Sequence, residues 1–197
     1  MVACNAHADG FYLGANANYM QGTFDHTIAL RNPPGPNQSI KDGTQGFGYG
    51  IEGGYRWYFN HYTLASSLYY FDDNLVYKNV GSTTTNTNKL SYDYGLKIMP
   101  GYLIQPGFIF QGILGGAMGQ FKYQAIGANN YTNNYSEPGY ILGAGIDYQL
   151  CKNLHLNSSY EYTYFRNKEN ISGDTGYYQR NGNEFTKRLL VGVSYHF

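Results

Sequence analysis

The chain closes on Lys187-Arg188-Leu189-Leu190-Val191-Gly192-Val193-Ser194-Tyr195-His196-Phe197, with an apolar residue at every second position. Side chains alternate faces along a strand, so Leu189, Val191, Val193, Tyr195 and Phe197 share one side. Arg188, Gly192, Ser194 and His196 share the other. A stripe this apolar backed by one this polar suits a wall with hydrocarbon outside and water or fixed charge inside.

Composition narrows the choice. The 197 residues include 26 Gly, 23 Tyr and 11 Phe, yet mean hydropathy is only −0.47. No run of about 18 apolar residues exists, so no transmembrane helix is available. A membrane barrel reconciles polarity with aromatic richness, because alternating strands dilute the apolar signal while Tyr, Trp and Phe gather at the two membrane interfaces. Charge is balanced, 13 basic against 13 acidic residues, which argues against nucleic acid as a partner.

The period-2 pattern repeats along the chain. Strands are expected near Phe11–Met20, Gly46–Tyr58, Tyr62–Phe71, Leu90–Ile104, Phe108–Tyr123, Tyr140–Leu150 and Leu154–Phe165, before the closing one. Tight turns fall at Phe59-Asn60-His61, Gln105-Pro106-Gly107 and Cys151-Lys152-Asn153. Long polar segments, Gln21–Thr44, Asp72–Lys89, Gln124–Glu137 and Arg166–Asn183, read as loops; the first carries Pro33-Pro34-Gly35-Pro36, which no central strand accepts. Strand four is read with Leu90, Tyr92, Tyr94, Leu96 and Ile98 outward. In strand five, apolar residues occupy both parities, and Phe108, Phe110 and Leu114 are assigned to lipid. The fold class is therefore all-β: an eight-stranded antiparallel up-and-down transmembrane β-barrel with four long loops and three short turns.

These features resemble the bacterial outer-membrane β-barrel families, whose last strand alternates in this way and ends on Phe. Within them the chain is most similar to the OmpA-like and opacity-protein barrels, over nearly its whole length. The closest stretch is Gly143-Ala144-Gly145-Ile146-Asp147-Tyr148 followed by Tyr160-Glu161-Tyr162. Ser159 stands where the OmpA pattern has a buried Arg, so that family's gate is not carried over. The resemblance implies a Gram-negative outer membrane, short turns and both termini in the periplasm, and contact with outer-membrane lipid, lipopolysaccharide and the assembly machinery, which would read Leu189, Val191, Val193, Tyr195 and Phe197. Residues 1–8 look like the remnant of a secretory signal, since Ala6-His7-Ala8 fits a small-x-small cleavage site; residues 9–197 form a single barrel domain.

Eight strands leave an interior just wide enough for side chains. Counting from the turns places Glu52, Lys97, Glu161 and Arg188 inward at mid-membrane height, Arg56 and Asp147 lower, and Asp93 among them on strand four. Charges so confined must pair. A salt-bridge plug is expected, with Glu161 against Arg188 at its centre and Glu52 and Lys97 completing the network. The alternative is a narrow gated pore for ions or small solutes.

Chemistry beyond that is sparse. His155-Leu156-Asn157 resembles a His-x-Ser deacylase motif superficially, but Asn replaces the nucleophile and the site adjoins a tight turn, so it reads as a rim histidine. His26, Asp72 and Asp73 are the other candidate acid–base set, without supporting sequence around them. The His and Cys residues are scattered without ligand spacing. No catalytic residue, metal or cofactor is expected. The loops carry Tyr131, Tyr135, Tyr177 and Tyr178 among Asn, Ser, Thr and Gly, a mixture suited to adaptable contact surfaces. Adhesion, or binding of a host or other extracellular partner, is the expected role, with membrane integrity beside it.

Overall fold

The computed structural model describes residues 9–30, 38–80, 85–126, 131–167, 170–173 and 176–197. They form β1 (Gly10–Leu30), β2 (Gln38–Phe59), β3 (Tyr62–Val80), β4 (Thr85–Gln105), β5 (Phe108–Ile126), β6 (Tyr131–Cys151), β7 (Leu154–Asn167), β8 (Asn170–Gly173) and β9 (Gly176–His196). Each long strand is antiparallel to the next, and β9 returns to pair with β1. The result is a closed eight-stranded barrel; the four-residue β8 pairs with the far part of β9, beyond the reach of β7. Closure satisfies every edge, which a wall in hydrocarbon requires.

The three tight turns sit where the pattern places them. Asn60 adopts φ 58° between β2 and β3, and Gly107 adopts φ 82° between β4 and β5, both in the left-handed region that Asn and Gly tolerate. Lys152-Asn153 joins β6 to β7. Both described chain ends lie at this turn end: Phe197 N–H donates to Phe11 O (3.0 Å), and Tyr58 N–H donates to Asp9 Oδ1 (2.8 Å).

Outward side chains make one apolar band. On β1 it runs from Phe11 to Tyr19 and on β9 from Leu189 to Phe197, and Tyr19 lies beside both Phe47 and Leu189. Nine residues of tilted strand match the roughly 9 to 11 that cross a bilayer. Beyond it the outer face turns polar at Gln21, Gln45, Asp72, Ser136 and Lys187, all exposed. Strand five faces as expected, with Phe110 and Leu114 exposed and Ile109 and Ile113 buried, although Phe108 is half-buried.

Two expectations are corrected. Several segments read as loop are strand: Asp72–Val80 lies in β3, Thr85–Lys89 in β4 and Tyr131–Glu137 in β6. A strand of about 20 residues climbs roughly 50 Å at ordinary tilt, so the wall extends well past the membrane band. Ser, Thr, Asn and Tyr there obey the barrel's pairing rather than a hydropathy signal. Leu90, expected outward, is fully buried. An irregularity between Leu90 and Tyr92 inserts one extra residue of β4 against β5, and such a bulge switches the parity of everything beyond it.

A layered lumen as candidate functional site

The interior is built from side chains that alternate inward from every strand, stacked in layers from the turn end outward. In the lowest, Arg56 from β2 and His155 from β7 grip Asp147 of β6 from two sides, at 3.0 Å (Nη1 to Oδ2) and 2.6 Å (Nδ1 to Oδ1). Arg56 also donates to Gln111 Oε1 (3.1 Å), and the His155 ring stacks on His196 with centroids 3.9 Å apart. His155 is thus a buried partner of Asp147 rather than a rim residue. Asp147, His155 and His196 bring ligand-type atoms within 4.8 Å of one another. Parallel rings, however, cannot both aim lone pairs at one ion between them, and Asp147 is already held by a cation.

The middle layer centres on Lys97. Its ammonium lies 2.7 Å from Glu161 Oε1 and 3.4 Å from Glu52 Oε2. Tyr12 donates to Glu52 (3.1 Å), Ser159 donates to Glu161 (3.3 Å), and the Tyr69 ring lies 4.6 Å from the ammonium. A cavity adjoins this layer on the side of the lowest one, lined by Asn16, Glu52, Arg56, Gln111, Asp147 and Glu161 among others.

Arg188 does not pair with Glu161, although the two are register neighbours on β7 and β9. Its guanidinium points to Asp93 of β4, taking both carboxylate oxygens (2.9 and 3.3 Å), and to Asp73 of β3 (2.8 Å). Two acids across the lumen outbid one beside it, and Lys97 has already claimed Glu161. The Phe71 ring lies 4.7 Å from the guanidinium carbon. Asp73 was missed because its segment reads as loop; continuing the parity of Tyr69 and Phe71 two residues further would have found it. The same parity puts Asp72 outside, bonded to Tyr49 (3.2 Å), so Asp72 and Asp73 cannot join one acid–base set. The side chain of His26 lies outside the described residues.

Toward the far end follows an apolar layer, with Met20, Leu75, Leu90, Phe121 and Phe165 all at most 2% exposed. Phe121 meets Phe165 edge-on with centroids 5.4 Å apart. The last described layer is polar: Asn88 donates to Glu184 (3.1 Å), and the Tyr135 hydroxyl reaches both at 3.3 and 3.4 Å. Tyr135, expected as an external contact, is therefore inside, stacked on Phe121; it belongs to β6, and its position shares the inward parity of Glu137 and Ile141. The side chains of Tyr131, Tyr177 and Tyr178, like residues 1–8, lie outside the described residues.

An apolar belt around a closed eight-stranded wall, with charges paired inside it, defines an outer-membrane barrel. The whole chain, residues 1–197, matches the outer membrane protein beta-barrel domain family and belongs to it. It is a protein of the bacterial outer membrane. It is similar to the 22 kDa outer membrane protein of Rhizobium leguminosarum bv. viciae, with 27% identity over 95% of this chain and 78% of that protein. A 31 kDa outer-membrane immunogenic protein of Brucella melitensis is 24% identical over 95% of this chain and 83% of that protein. Neisserial surface protein A has the same fold, with a TM-score of 0.53 and 18% identity over 97% of this chain and all (100%) of that one. So does Ail, the attachment invasion locus protein of Yersinia pestis, with a TM-score of 0.51 and 17% identity over 95% of this chain and 99% of that one.

Proposed function

We propose that the barrel is a surface protein acting through its far, extracellular end on a host or other external partner, with a lumen that is a permanent plug and with no enzymatic role. The observation that carries this reading is the stacking of ion-paired layers along the axis, Asp147 with Arg56, Lys97 with two glutamates, Arg188 with two aspartates, then an apolar layer. Wall extended past the membrane band supports it as well, since strands cost ordering entropy that a mere anchor would not need to spend. The names of an immunogenic relative and of an attachment protein with this fold agree with surface display. In the test, intact barrel and a variant with its four far-end connections shortened are compared for binding to host cells. Equal binding, or steady conductance of the intact protein in a planar bilayer, would sink the proposal.

Orientation is tested separately. Cys151 is exposed beside a tight turn, so on intact cells an impermeant maleimide is expected to leave it unmodified until the outer membrane is permeabilised. Lys78→Cys, made with Cys151→Ser, is expected to react at once. The reverse pattern would place the turns outside.

A further inference from the structure

The charges of the barrel are sorted by face beyond the apolar band. Among the described side chains toward the far end, the acids Asp73, Asp93, Glu137 and Glu184 are all inward, Asp73 and Asp93 on Arg188. Outward, the order inverts: Lys78, Lys89, Lys122, Arg166 and Lys187 are set against Asp72 alone, and Asp72 is engaged by Tyr49. Lys89, Lys122, Arg166 and Lys187 each adjoin a buried inward residue, and the exposed Lys78 follows Tyr77, which packs against the core, so all five lie on the outer surface. None of them is held in an ion pair with a described residue.

Two of these bases are placed where a protein on its own would avoid them. Lys89 of β4 and Lys122 of β5 are direct cross-strand partners, with Cβ atoms about 5 Å apart by sheet geometry, and like charges directly opposite are destabilising. Their flanking partners, Val76 on β3 and Asn134 on β6, bring no negative charge. A shared anion turns this repulsion into two charge-assisted hydrogen bonds.

Height identifies the anion. On β5 the outward apolar run from Phe110 ends at Met118, so Lys122 stands roughly 10 Å beyond that run along the membrane normal, with Ile126 further out; on β9 Lys187 lies between Leu189 and the half-buried Phe185, roughly 5 Å past Leu189. That is the zone of headgroups, above hydrocarbon and below the barrel's tip. We infer that the outward bases form a collar for lipopolysaccharide, with Lys89 and Lys122 clamping one of its phosphate groups. This rests on the far end being extracellular, as proposed above, but its test does not, because in detergent micelles both ends are accessible.

Fluorescently labelled rough lipopolysaccharide is titrated against the refolded barrel in micelles. Saturable binding is expected, at least tenfold weaker for lipopolysaccharide stripped of phosphate and at least tenfold weaker for Lys89→Gln/Lys122→Gln. Lys89→Arg/Lys122→Arg should bind as the parent does, and so should the turn-end control Lys152→Gln. Heat-modifiable migration on gels establishes that each variant is folded. Binding of the Gln pair within twofold of the parent, equal affinity for the dephosphorylated form, or binding of a soluble sulfated polysaccharide in place of lipopolysaccharide would each overturn the inference.

Discussion

Arg188→Met is expected to cost the folded barrel about 3 to 5 kcal/mol, the usual penalty for removing one partner of a buried ion pair. Here the loss is aggravated by geometry: Asp73 and Asp93 both reach the guanidinium within 3 Å and are essentially unexposed, so its removal leaves two carboxylates facing each other with no cation between. Met fills most of the volume and keeps contact with Phe71, which isolates charge from packing. Urea unfolding of barrel refolded into micelles measures the effect. Adding Asp73→Asn and Asp93→Asn should restore most of the loss, since neutral amides can bond to one another and to Tyr69 and Asn18. A loss below about 1 kcal/mol for the single variant would mean that the cluster is hydrated or protonated and carries little of the stability. A double-mutant cycle between Glu161 and Arg188 should give weak coupling beside that between Lys97 and Glu161, in keeping with their separate partners.

Glu161 and Arg188 also show how far sequence reading reaches. Parity settled that both point inward and that they sit at one height, because register follows from the tight turns. Parity could not settle partners. The Arg188 side chain is long enough to bypass its neighbour and cross the lumen, and the acid it finds there, Asp73, belongs to a segment whose polarity reads as loop. Leu90 failed for a related reason: a bulge changes the count by one, and nothing in Lys89-Leu90-Ser91-Tyr92 announces it. Tyr135 was misread because aromatic residues among Asn and Ser look like a contact surface, when the wall simply continues and turns the ring inside. The apolar band and the tight turns were legible because they rest on local chemistry, a two-residue period and, in two of the three turns, a left-handed backbone position. The lumen is a three-dimensional packing solution, and it was not.

The apolar layer carries the larger consequence for transport. Phe121 and Phe165 come from β5 and β7 and meet edge to face over the inner face of β6, with Gly119 and Gly139 leaving the space that the rings occupy. Each Phe→Ala change should cost about 3 to 5 kcal/mol if the site cannot collapse, and a closed barrel wall collapses poorly. The effect on permeation differs in kind. Ionic layers can be wetted once a partner is removed, whereas a dry apolar constriction excludes ions however the charges beneath it are arranged. Lys97→Met alone is therefore expected to weaken the fold while leaving the bilayer as tight as with the parent protein. Phe121→Ala/Phe165→Ala alone should admit water down to the Arg188 cluster and stop there. Only a change that also breaks both ionic layers, Phe121→Ala/Phe165→Ala with Arg188→Met and Lys97→Met, joins that space to the cavity beside Glu52, and discrete conductance steps are expected from it. Steps from Lys97→Met by itself would show that the salt bridges, and not the rings, close the lumen.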